Sequence, residues 1–515
     1  MTPAASVRWL DAARDLLAVA AGISLTLAFA PFELVWLAFL CPALMIHLWR
    51  VSSPRRAALR GFLFGLGLFG SGVSWVFASI HQFGGAGAAE GWFLTSLLVV
   101  YLAAFPALAG YGTARWTATG GDPLRFAVAS ACGWAAADWL RGWLFTGFPW
   151  LQLGYSQVDG YLGTGFGAAG GVHLSGLATA LIAAAAAVCA DPRWPPRGRL
   201  RVLAMAAAVA VLGAGLARWD WTSVAGDGIE VALLQGNIPQ QLKWRPELQK
   251  STLDRYGELT RSSWGAQVIV WPETAVPAYY HQVRDGFLRD LGSEATYRGA
   301  DLLLGMPVLD ERSGRSYNAL VAVGSSPGMY FKRHMVPFGE YLPFRRLFGF
   351  ILQFLQIPMA NFERGDERQQ PLRAGGHPLA ASICYEDAFG HESRAGLAEA
   401  AYLVNVTNDA WFGLTPEPHQ HLQMARMRAV ESGRFLLRAT NNGITAIVGP
   451  HGDVVAAAPQ FAQAVLRGRI EPMYGMTPYG RCGDWILAAV LGTGWIWLWW
   501  TRRGSPGVRR EGRRG

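Results

Sequence analysis

Charged residues are scarce in this chain: Asp, Glu, Lys and Arg make up 16% of its 515 residues, whereas hydrophobic residues make up 51%. So apolar a composition over this length excludes an ordinary soluble protein and indicates a membrane protein. Cysteine is also scarce, with five residues. Clusters with metal-ligand spacing and dinucleotide-type Gly-rich loops are missing from the sequence, so no metal and no cofactor are predicted.

The formal net charge of +9 raises the question of a nucleic-acid partner. The arginines, however, gather in short segments between apolar runs rather than along one stretch. Such spacing is typical of the loops of membrane proteins and not of a binding face. Nucleic-acid binding is therefore not predicted.

Long apolar runs come in two blocks. Seven runs precede Gly228 and one lies near the C terminus, each close to the roughly 20 residues that a helix needs to cross a bilayer. A buried core helix is the alternative for any single run, but seven in succession argue against it. The predicted spans cover about 12–30, 33–49, 60–80, 92–114, 125–145, 161–190, 200–217 and 485–500.

The distribution of arginine between these runs predicts the topology. Arginines cluster after the second, fourth, sixth and eighth runs, whereas the loop 81–91 has no Lys or Arg and the loop after the fifth run holds only Arg141. Because cytoplasmic loops carry the excess of Lys and Arg, both termini are predicted to be cytoplasmic. Seven spans then leave 218–484 on the outer side of the membrane.

This outer segment has a different pattern. From Ile229 to about Arg469, short apolar strands alternate with helical stretches, which predicts a single α/β domain. Its length is sufficient to bury a large core. The predicted strands are 229–234, 268–271, 302–305, 319–323, 379–384, 403–406 and 444–448.

Cysteine usage singles out one thiol. Cys41, Cys132 and Cys189 lie in predicted spans, where a cysteine is usually a small apolar packing residue, and Cys482 precedes the last span. Only Cys384 lies within the predicted strands and helices of the outer domain, at the end of a strand. An inert buried thiol, a bond to Cys482 and a catalytic nucleophile all remain open for it.

Two further motifs supply what a thiol nucleophile needs. Glu273 follows a predicted strand, at the end where α/β sites usually form, and Lys332 lies among aromatic residues. A thiol needs a base to remove its proton and a cation or dipole to stabilise the oxyanion formed on attack. Individually, Glu273 could cap a helix and Lys332 could be a solvated surface charge. Together with Cys384 they indicate a Cys-Glu-Lys site.

These three motifs, in this order and at these separations, resemble the nitrilase superfamily. Over nearly the whole chain, the sequence resembles the membrane-embedded branch of that superfamily, the apolipoprotein N-acyltransferases. The further matching segments are Gly147-Phe148-Pro149-Trp150, Gly154-Tyr155-Ser156-Gln157, Gln235-Gly236-Asn237-Ile238-Pro239-Gln240 with Lys243-Trp244, Tyr317-Asn318-Ala319, and Asn405 to Gly413.

The resemblance implies a role for each matching residue. Cys384 is expected to take the acyl chain as a thioester, Glu273 to act as the base, Lys332 to stabilise the oxyanion, and Glu340 to hold Lys332 in place. Supporting or substrate-binding roles are expected for Tyr385, Glu386, Trp244, Asn318 and Trp411.

The resemblance also implies an architecture. It predicts a polytopic α-helical membrane bundle of about eight transmembrane helices and an α/β nitrilase-like αββα sandwich domain. The expected divisions are transmembrane helices 1–7 (1–217), a periplasmic catalytic domain (218–484), transmembrane helix 8 (485–501) and a basic cytoplasmic tail (502–515). The expected location is the bacterial inner membrane.

The implied activity is acyl transfer in lipoprotein maturation. The donor would be a membrane phospholipid, typically phosphatidylethanolamine giving its sn-1 chain, and the acceptor the α-amino group of the diacylglyceryl-cysteine of an apolipoprotein. Both substrates carry long chains, and each CH₂ exposed to water costs roughly 0.8 kcal/mol, so a membrane-anchored site avoids a large desolvation penalty. A monomer is sufficient for this activity.

Two segments carry additional hypotheses. The apolar stretch 347–355, which includes Phe350 and Leu352, is either a core helix or a lid that dips into the membrane interface. Asp138 and Arg141 lie three residues apart in the fifth span, where they form either a structural ion pair or a lipid headgroup site.

Two other functional classes fit part of the pattern. A membrane-tethered nitrilase-type amidase would share the outer-domain motifs, but it would not need the seven-span block with its 147–150 and 154–157 motifs. A membrane scaffold or channel would not need Glu273, Lys332 and Cys384, and the spans lack the recurring buried charges of a transport path.

Overall fold

The computed structural model describes residues 3–117, 121–341 and 362–503. The stretch 347–355 considered as a lid and most of the basic tail (504–515) lie outside these described residues.

Helices make up the N-terminal part of the chain, here called the helical block. They are α1 (Pro3–Thr26), α2 (Leu37–Arg50), α3 (Pro54–Gly72), α4 (Val76–Ala78) continuing as a π-helical turn (Ser79–Phe83), α5 (Ala88–Thr117), α6 (Pro123–Arg141), α7 (Tyr161–Cys189) and α8 (Pro196–Leu216). One more long helix, Trp485–Arg503, packs against α6 and α7. Local signals set the boundaries: α6, for example, begins after Asp122, whose carboxylate accepts a hydrogen bond from Arg125 N at 3.2 Å.

Each predicted span coincides with a helix, but the helices differ in their ability to cross a membrane. Among the described residues, α5, α7 and α8 are long and apolar enough, and α3 with the bent segment after it can count as a fourth span. α2 has only 14 residues, or about 21 Å at 1.5 Å per residue, against a hydrocarbon core of about 30 Å. The number of eight crossings therefore stays a prediction.

The outer segment forms two six-stranded sheets. The first has the order β13–β2–β3–β4–β5–β6 and the second β12–β11–β10–β9–β8–β7. Their strands are β2 (Ile229–Gln235), β3 (Val268–Val270), β4 (Asp301–Asp310), β5 (Arg315–Val323), β6 (Gly328–Phe331), β7 (Leu372–Ala374), β8 (His377–Ile383), β9 (Tyr402–Thr407), β10 (Leu436–Thr440), β11 (Ala446–Val448), β12 (Val454–Ala457) and β13 (Ala464–Ile470); β1 (Thr222–Val224) pairs separately with β14 (Met473–Gly475). Strands β2, β3 and β4 run parallel in the centre of the first sheet, and β8, β9 and β10 in the centre of the second.

The two sheets pack face to face with helices outside each of them. Leu233 and Val270 of the first sheet share one core with Val404 and Leu437 of the second. The helices α9 (Pro246–Ser262) and α10 (Arg289–Tyr297) cover the outer face of the first sheet. The helix Glu417–Ser432 covers the outer face of the second sheet, which completes four αββα layers.

This helix, Glu417–Ser432, is here called the sandwiched helix because it is covered on both sides. Ala425 and Ala429 pack on the second sheet, whereas Met424 and Met427 belong to the core of the helical block. All of its residues except His419 are buried, although many of them are polar or charged. It ends at Gly433, whose φ of +63° is the left-handed conformation that glycine adopts most easily.

The sandwich domain lies at one end of the helical block. Ala30 N, between α1 and α2, donates to Gln423 Oε1 at 3.3 Å, and Trp75 Nε1, between α3 and α4, donates to Gln420 Oε1 at 3.1 Å. The junctions of α2 with α3, of α5 with α6 and of α7 with α8 lie at the opposite ends of the same helices. The block therefore has one face bonded to the sandwich domain and one face remote from it.

Candidate active site

The carboxylate of Glu273 is positioned by a central strand of the first sheet. It lies three residues beyond the end of β3, at the carboxyl end of the parallel strands, and it is buried. Its Oε1 accepts a hydrogen bond from Asn318 Nδ2 at 2.7 Å. The carboxylate is thus both oriented and shielded from bulk water.

The ammonium group of Lys332 lies next to this carboxylate. Lys332 directly follows β6, and its Nζ is 2.8 Å from Glu340 Oε1 and 3.7 Å from Glu273 Oε1. Burial alone would lower the pKa of Lys332, but the charges of Glu340 and Glu273 outweigh it and raise the pKa above its ordinary value. The lysine therefore stays protonated at neutral pH.

Asn318 connects the two carboxylates. It lies on β5, with its Nδ2 2.7 Å from Glu273 Oε1 and 3.5 Å from Glu340 Oε1. Its backbone carbonyl accepts from Lys332 N at 2.8 Å. Asn318 thus holds the side chains of Glu273, Lys332 and Glu340 in register, and its own Oδ1 is buried without a hydrogen bond in the described part of the chain.

Cys384 lies at the carboxyl end of β8, facing this group from the second sheet. It begins a 3₁₀ turn (Cys384–Ala388) with a φ of +52°, a strained backbone conformation for a residue other than glycine. Burial, followed by the charge of Glu273, raises the pKa of the Cys384 thiol well above its ordinary value, while Lys332 opposes this shift. The sulfur is therefore a neutral thiol at rest. The proposed alternative of a bond to Cys482 is wrong, because both cysteines are free.

Glu386 joins the loop of the cysteine to the loop of the lysine. Its Oε2 accepts from Ile383 N at 2.7 Å and from Tyr330 Oη at 3.0 Å, while its Oε1 accepts from Arg333 N at 2.5 Å and His334 N at 3.1 Å. Burial raises the pKa of Glu386, and the hydrogen bonds from the backbone of Arg333 and Ile383 oppose that rise. The residue is fully buried, so it positions these loops rather than contacting substrate.

Tyr385 connects the cysteine loop to the helical block. Its hydroxyl donates to the carbonyl of Gly147 at 2.9 Å, and its ring stacks on Trp150 with centroids 5.6 Å apart and planes at 15°. The 147–150 motif of the helical block therefore contacts the loop that carries Cys384.

The two tryptophans expected near the substrate are more exposed than Glu273 and Lys332. Trp244 is 38% exposed. Trp411 is half-buried and contacts Phe83 of the helical block edge to face, with ring centroids 5.5 Å apart. Both offer apolar surface, but neither is joined by a hydrogen bond to Glu273, Lys332 or Cys384 among the described residues.

Lys243 is a site residue that sequence reasoning missed. It is buried, and its Nζ donates to the backbone carbonyl of Glu273 at 3.1 Å. Burial lowers the pKa of Lys243 to about 8, although the charges of Glu273 and Cys384 act in the opposite direction. Its only signal in the sequence was its place beside Trp244 in a matching motif.

A buried charge network behind Cys384 was also missed. His421 of the sandwiched helix lies 2.7 Å from Asp387 and 3.1 Å from Asp409, and Arg438 bonds both carboxylates at 2.8 and 3.1 Å. Burial would lower the pKa of His421, but the two carboxylates outweigh it and raise the pKa to about 10. These charged side chains form a buried network that supports the turn after Cys384.

Asp138 and Arg141 form a structural ion pair 3.0 Å apart. Arg141 is buried and donates to the carbonyls of Phe148 and Trp150, at 2.8 and 2.5 Å, while Asp138 accepts from Leu153 N at 3.2 Å. The pair therefore stabilises the loop that follows α6, and this loop contacts Tyr385. The hypothesis of a lipid headgroup at this pair is not supported by this arrangement.

Known families match both parts of the chain. Residues 21–185 match the apolipoprotein N-acyltransferase N-terminal domain, and residues 230–478 match the carbon-nitrogen hydrolase family. The sandwich described above is accordingly a nitrilase-like fold.

Curated relatives cover nearly the whole chain. A protein of Methylococcus capsulatus named apolipoprotein N-acyltransferase is 50% identical over 505 residues, which cover 97% of this chain and 98% of that one. Proteins with the same name from Vibrio vulnificus and Nitrosomonas europaea are 39% and 42% identical, covering 95% and 93% of this chain and 97% and 95% of theirs.

Proposed function

Because this chain belongs to the apolipoprotein N-acyltransferase family and its activity is the N-acylation of lipoproteins, we propose that the reaction proceeds through a thioester on Cys384. The supporting observation is the convergence of Glu273, Lys332 and Cys384 at the ends of strands from two facing sheets. A half-buried thiol beside a carboxylate and a charged lysine has the base and the oxyanion-stabilising cation that covalent acyl transfer requires.

In the first half-reaction, Glu273 takes the proton of the Cys384 thiol as the sulfur attacks the ester carbonyl of a phospholipid. The raised pKa of the thiol makes this base necessary, because little thiolate exists beforehand. Negative charge then develops on the carbonyl oxygen, and the ammonium of Lys332 stabilises it. When the carbon–oxygen bond breaks, Glu273 returns the proton to the departing lysophospholipid alcohol, which leaves an acyl thioester.

In the second half-reaction, the neutral α-amine of the lipoprotein attacks the thioester carbonyl. Glu273 accepts a proton from the amine, Lys332 again stabilises the oxyanion, and the sulfur leaves as the carbon–sulfur bond breaks. The sulfur then regains a proton from Glu273, which restores the resting site. Glu340 and Asn318 keep Lys332 and Glu273 in place throughout, and Trp244 and Trp411 are proposed to contact the substrates.

Mass spectrometry of the acylated protein tests this proposal. The full chain is incubated with phosphatidylethanolamine alone, and the acylated residue is located by intact-mass and peptide analysis. We expect one acyl adduct on Cys384 that disappears when a diacylglyceryl-cysteine peptide is added. Cys384→Ala should form no adduct, whereas Cys482→Ala, which removes an exposed cysteine, should react as wild type does. An adduct that survives in Cys384→Ala would refute the assignment.

The finer substrate and topology assignments belong to the same proposal. The donor gives its sn-1 chain, the segment 218–484 forms the catalytic domain on the periplasmic side, 1–217 and 485–501 lie in the inner membrane, and both termini and the tail 502–515 are cytoplasmic. The arginine-rich junctions at the remote face of the helical block support this orientation. A membrane-impermeant thiol reagent should label Cys482 in intact cells. In a chain that also carries Cys482→Ala, it should label a cysteine introduced by Arg197→Cys only after permeabilisation.

The amidase alternative is not favoured. A hydrolase of small amides has no use for a segment that matches the acyltransferase N-terminal domain, yet 21–185 matches it. Trp150 and Gly147 of this segment contact Tyr385 beside the nucleophile. Turnover of a simple amide without any acyl adduct from phospholipid would support the amidase instead.

A further inference from the structure

A cavity of about 670 Å³ opens at the remote face of the helical block. It lies where the junctions of α2 with α3, α5 with α6 and α7 with α8 meet, next to the end of the helix Trp485–Arg503. The sandwich domain bonds the opposite ends of these helices, so this cavity is separate from the site at Cys384.

Positive charge is in excess in this cavity. Four arginines line it, Arg14, Arg50, Arg125 and Arg193. Three carboxylates oppose them. Asp11 pairs with Arg14, Asp191 pairs with both Arg50 and Arg193 and is 1% exposed, and Asp122 lines the wall and pairs with Arg201. These ion pairs hold the guanidinium groups of Arg14, Arg50 and Arg193 in place, and they leave the guanidinium of Arg125 without a carboxylate partner among the described residues.

Among the four lining arginines, Arg125 has the fewest hydrogen-bond and ion-pair partners for its guanidinium group. Its Nε is buried, and no hydrogen bond from its side chain is found among the described residues. Leaving such a donor unpaired is unfavourable, so an acceptor that entered the cavity would remove this cost. An oxygen-rich anion is the acceptor that this position suits best.

Apolar surface lines the cavity beside the arginines. Trp194 and Phe126 form part of the wall, with Leu498 from the C-terminal helix. The guanidinium of Arg50 lies 4.0 Å from the centroid of the Trp194 ring, which fixes both groups. A soluble anion would leave this surface unused, whereas a lipid brings a phosphate and the start of its acyl chains together.

We propose that this cavity binds the phosphate headgroup of an anionic phospholipid from the leaflet opposite the catalytic domain. Basic pockets between helices at the cytoplasmic surface are a recurrent means of binding such lipids. The proposal rests on the membrane orientation stated above and concerns a bound lipid that is not the acyl donor. Arg125 and Arg193 contact the headgroup, and Trp194 contacts the glycerol region.

The test measures lipid retention by the full-length protein. Wild type, Arg125→Gln with Arg193→Gln, and the control Arg197→Gln are reconstituted in nanodiscs of equal parts phosphatidylglycerol and phosphatidylcholine. They are then extracted into detergent, and the retained lipids are counted by native mass spectrometry. Arg197 is an exposed arginine on the same face but outside the cavity. Arg125→Gln and Arg193→Gln are also measured singly, so that the control removes the same charge as each single variant. A thermal melt of each variant checks its folding.

We expect wild type and Arg197→Gln to retain phosphatidylglycerol preferentially, and the preference to fall about fivefold for each cavity arginine removed. An unchanged preference in the double variant would overturn the proposal. Loss of the retained lipid on adding millimolar inorganic phosphate, without any preference between the two lipids, would assign the cavity to a soluble anion instead. Thioester formation on Cys384 is measured in parallel and should be unaffected, so a failure here is distinguishable from a failure of the acyl-transfer mechanism.

Discussion

Replacing Glu386 with glutamine tests whether a buried carboxylate that never contacts substrate controls the nucleophile. Glutamine keeps the shape of the side chain but turns one oxygen into an NH₂ group. If that group replaced Oε1, the backbone N–H groups of Arg333 and His334 would both lose their acceptor. If it replaced Oε2, Ile383 N would lose its acceptor, and the hydroxyl of Tyr330 would turn its proton away and accept from the new NH₂ group as it already does from Arg333 Nε.

The second arrangement costs less, so we expect it to be adopted. It leaves the buried backbone N–H of Ile383 unpaired, at about 1–3 kcal/mol, immediately before Cys384 in the chain. If about half to all of that cost moves the thiol away from its attacking geometry, the rate of acylation falls roughly 2- to 150-fold, since 1.36 kcal/mol corresponds to a factor of ten.

The assay is the single-turnover formation of the Cys384 thioester from phosphatidylethanolamine, with kcat and KM for the complete transfer measured alongside. We expect Glu386→Gln to lower the acylation rate and kcat while KM stays near the wild-type value, because no substrate contact is lost. Glu399→Gln, which alters an exposed glutamate of the same domain, is the control. A variant that raises KM alone, or that acylates at the wild-type rate, would refute the positioning role.

Three other substitutions probe the surrounding structure. Glu340→Gln removes the carboxylate 2.8 Å from Lys332 and should slow thioester formation about tenfold or more, with substrate binding nearly unchanged; equal single-turnover rates would contradict it. Tyr385→Phe leaves the carbonyl of Gly147 without its donor and should destabilise the protein by about 1–2 kcal/mol in thermal unfolding, while an unchanged melt would show that the ring stack alone holds the loop. The folded-state pKa of His421, about 10, exceeds its ordinary value of 6.5, so its stabilisation is complete below about pH 6.5 and lost as the pH rises toward 10; thermal unfolding should show this loss in wild type and not in His421→Gln.

The strands that precede Glu273 and Cys384 were predictable because they are apolar runs, whereas β6, which precedes Lys332, was not predicted. All seven predicted strands coincide with observed strands, and Glu273 and Cys384 follow their ends as expected. β10 was missed because Arg438 lies in its centre, fully buried between Asp387 and Asp409. A charged residue in a core strand breaks the apolar pattern, and the partners that make it acceptable come from distant parts of the sequence.

The candidate site likewise has a part that the sequence predicted and a part that depends on residues distant in the sequence. The order and spacing of the motifs predicted that Glu273, Lys332 and Cys384 form one site. In the structure, Glu273 Oε1 lies 3.7 Å from Lys332 Nζ. The motifs could not indicate that the hydroxyl of Tyr385 donates to Gly147, 238 residues away in the sequence, or that Lys243 is buried rather than solvated. Lysine is almost always a surface residue, so only the three-dimensional surroundings reveal such an exception.

The sandwiched helix has a consequence for how the protein is made. Met424 and Met427 bury themselves against helices that precede residue 217 in the chain, so those helices emerge from the ribosome well before their partner does. The second sheet can therefore complete its outer layer only against a block that is already inserted. A sandwich domain expressed without the block would expose Met424 and Met427 to water and leave Gln420 and Gln423 without their partners, so we expect it to self-associate. The enzyme is consequently not divisible into a soluble module and an anchor: removing the anchor removes one wall of the module.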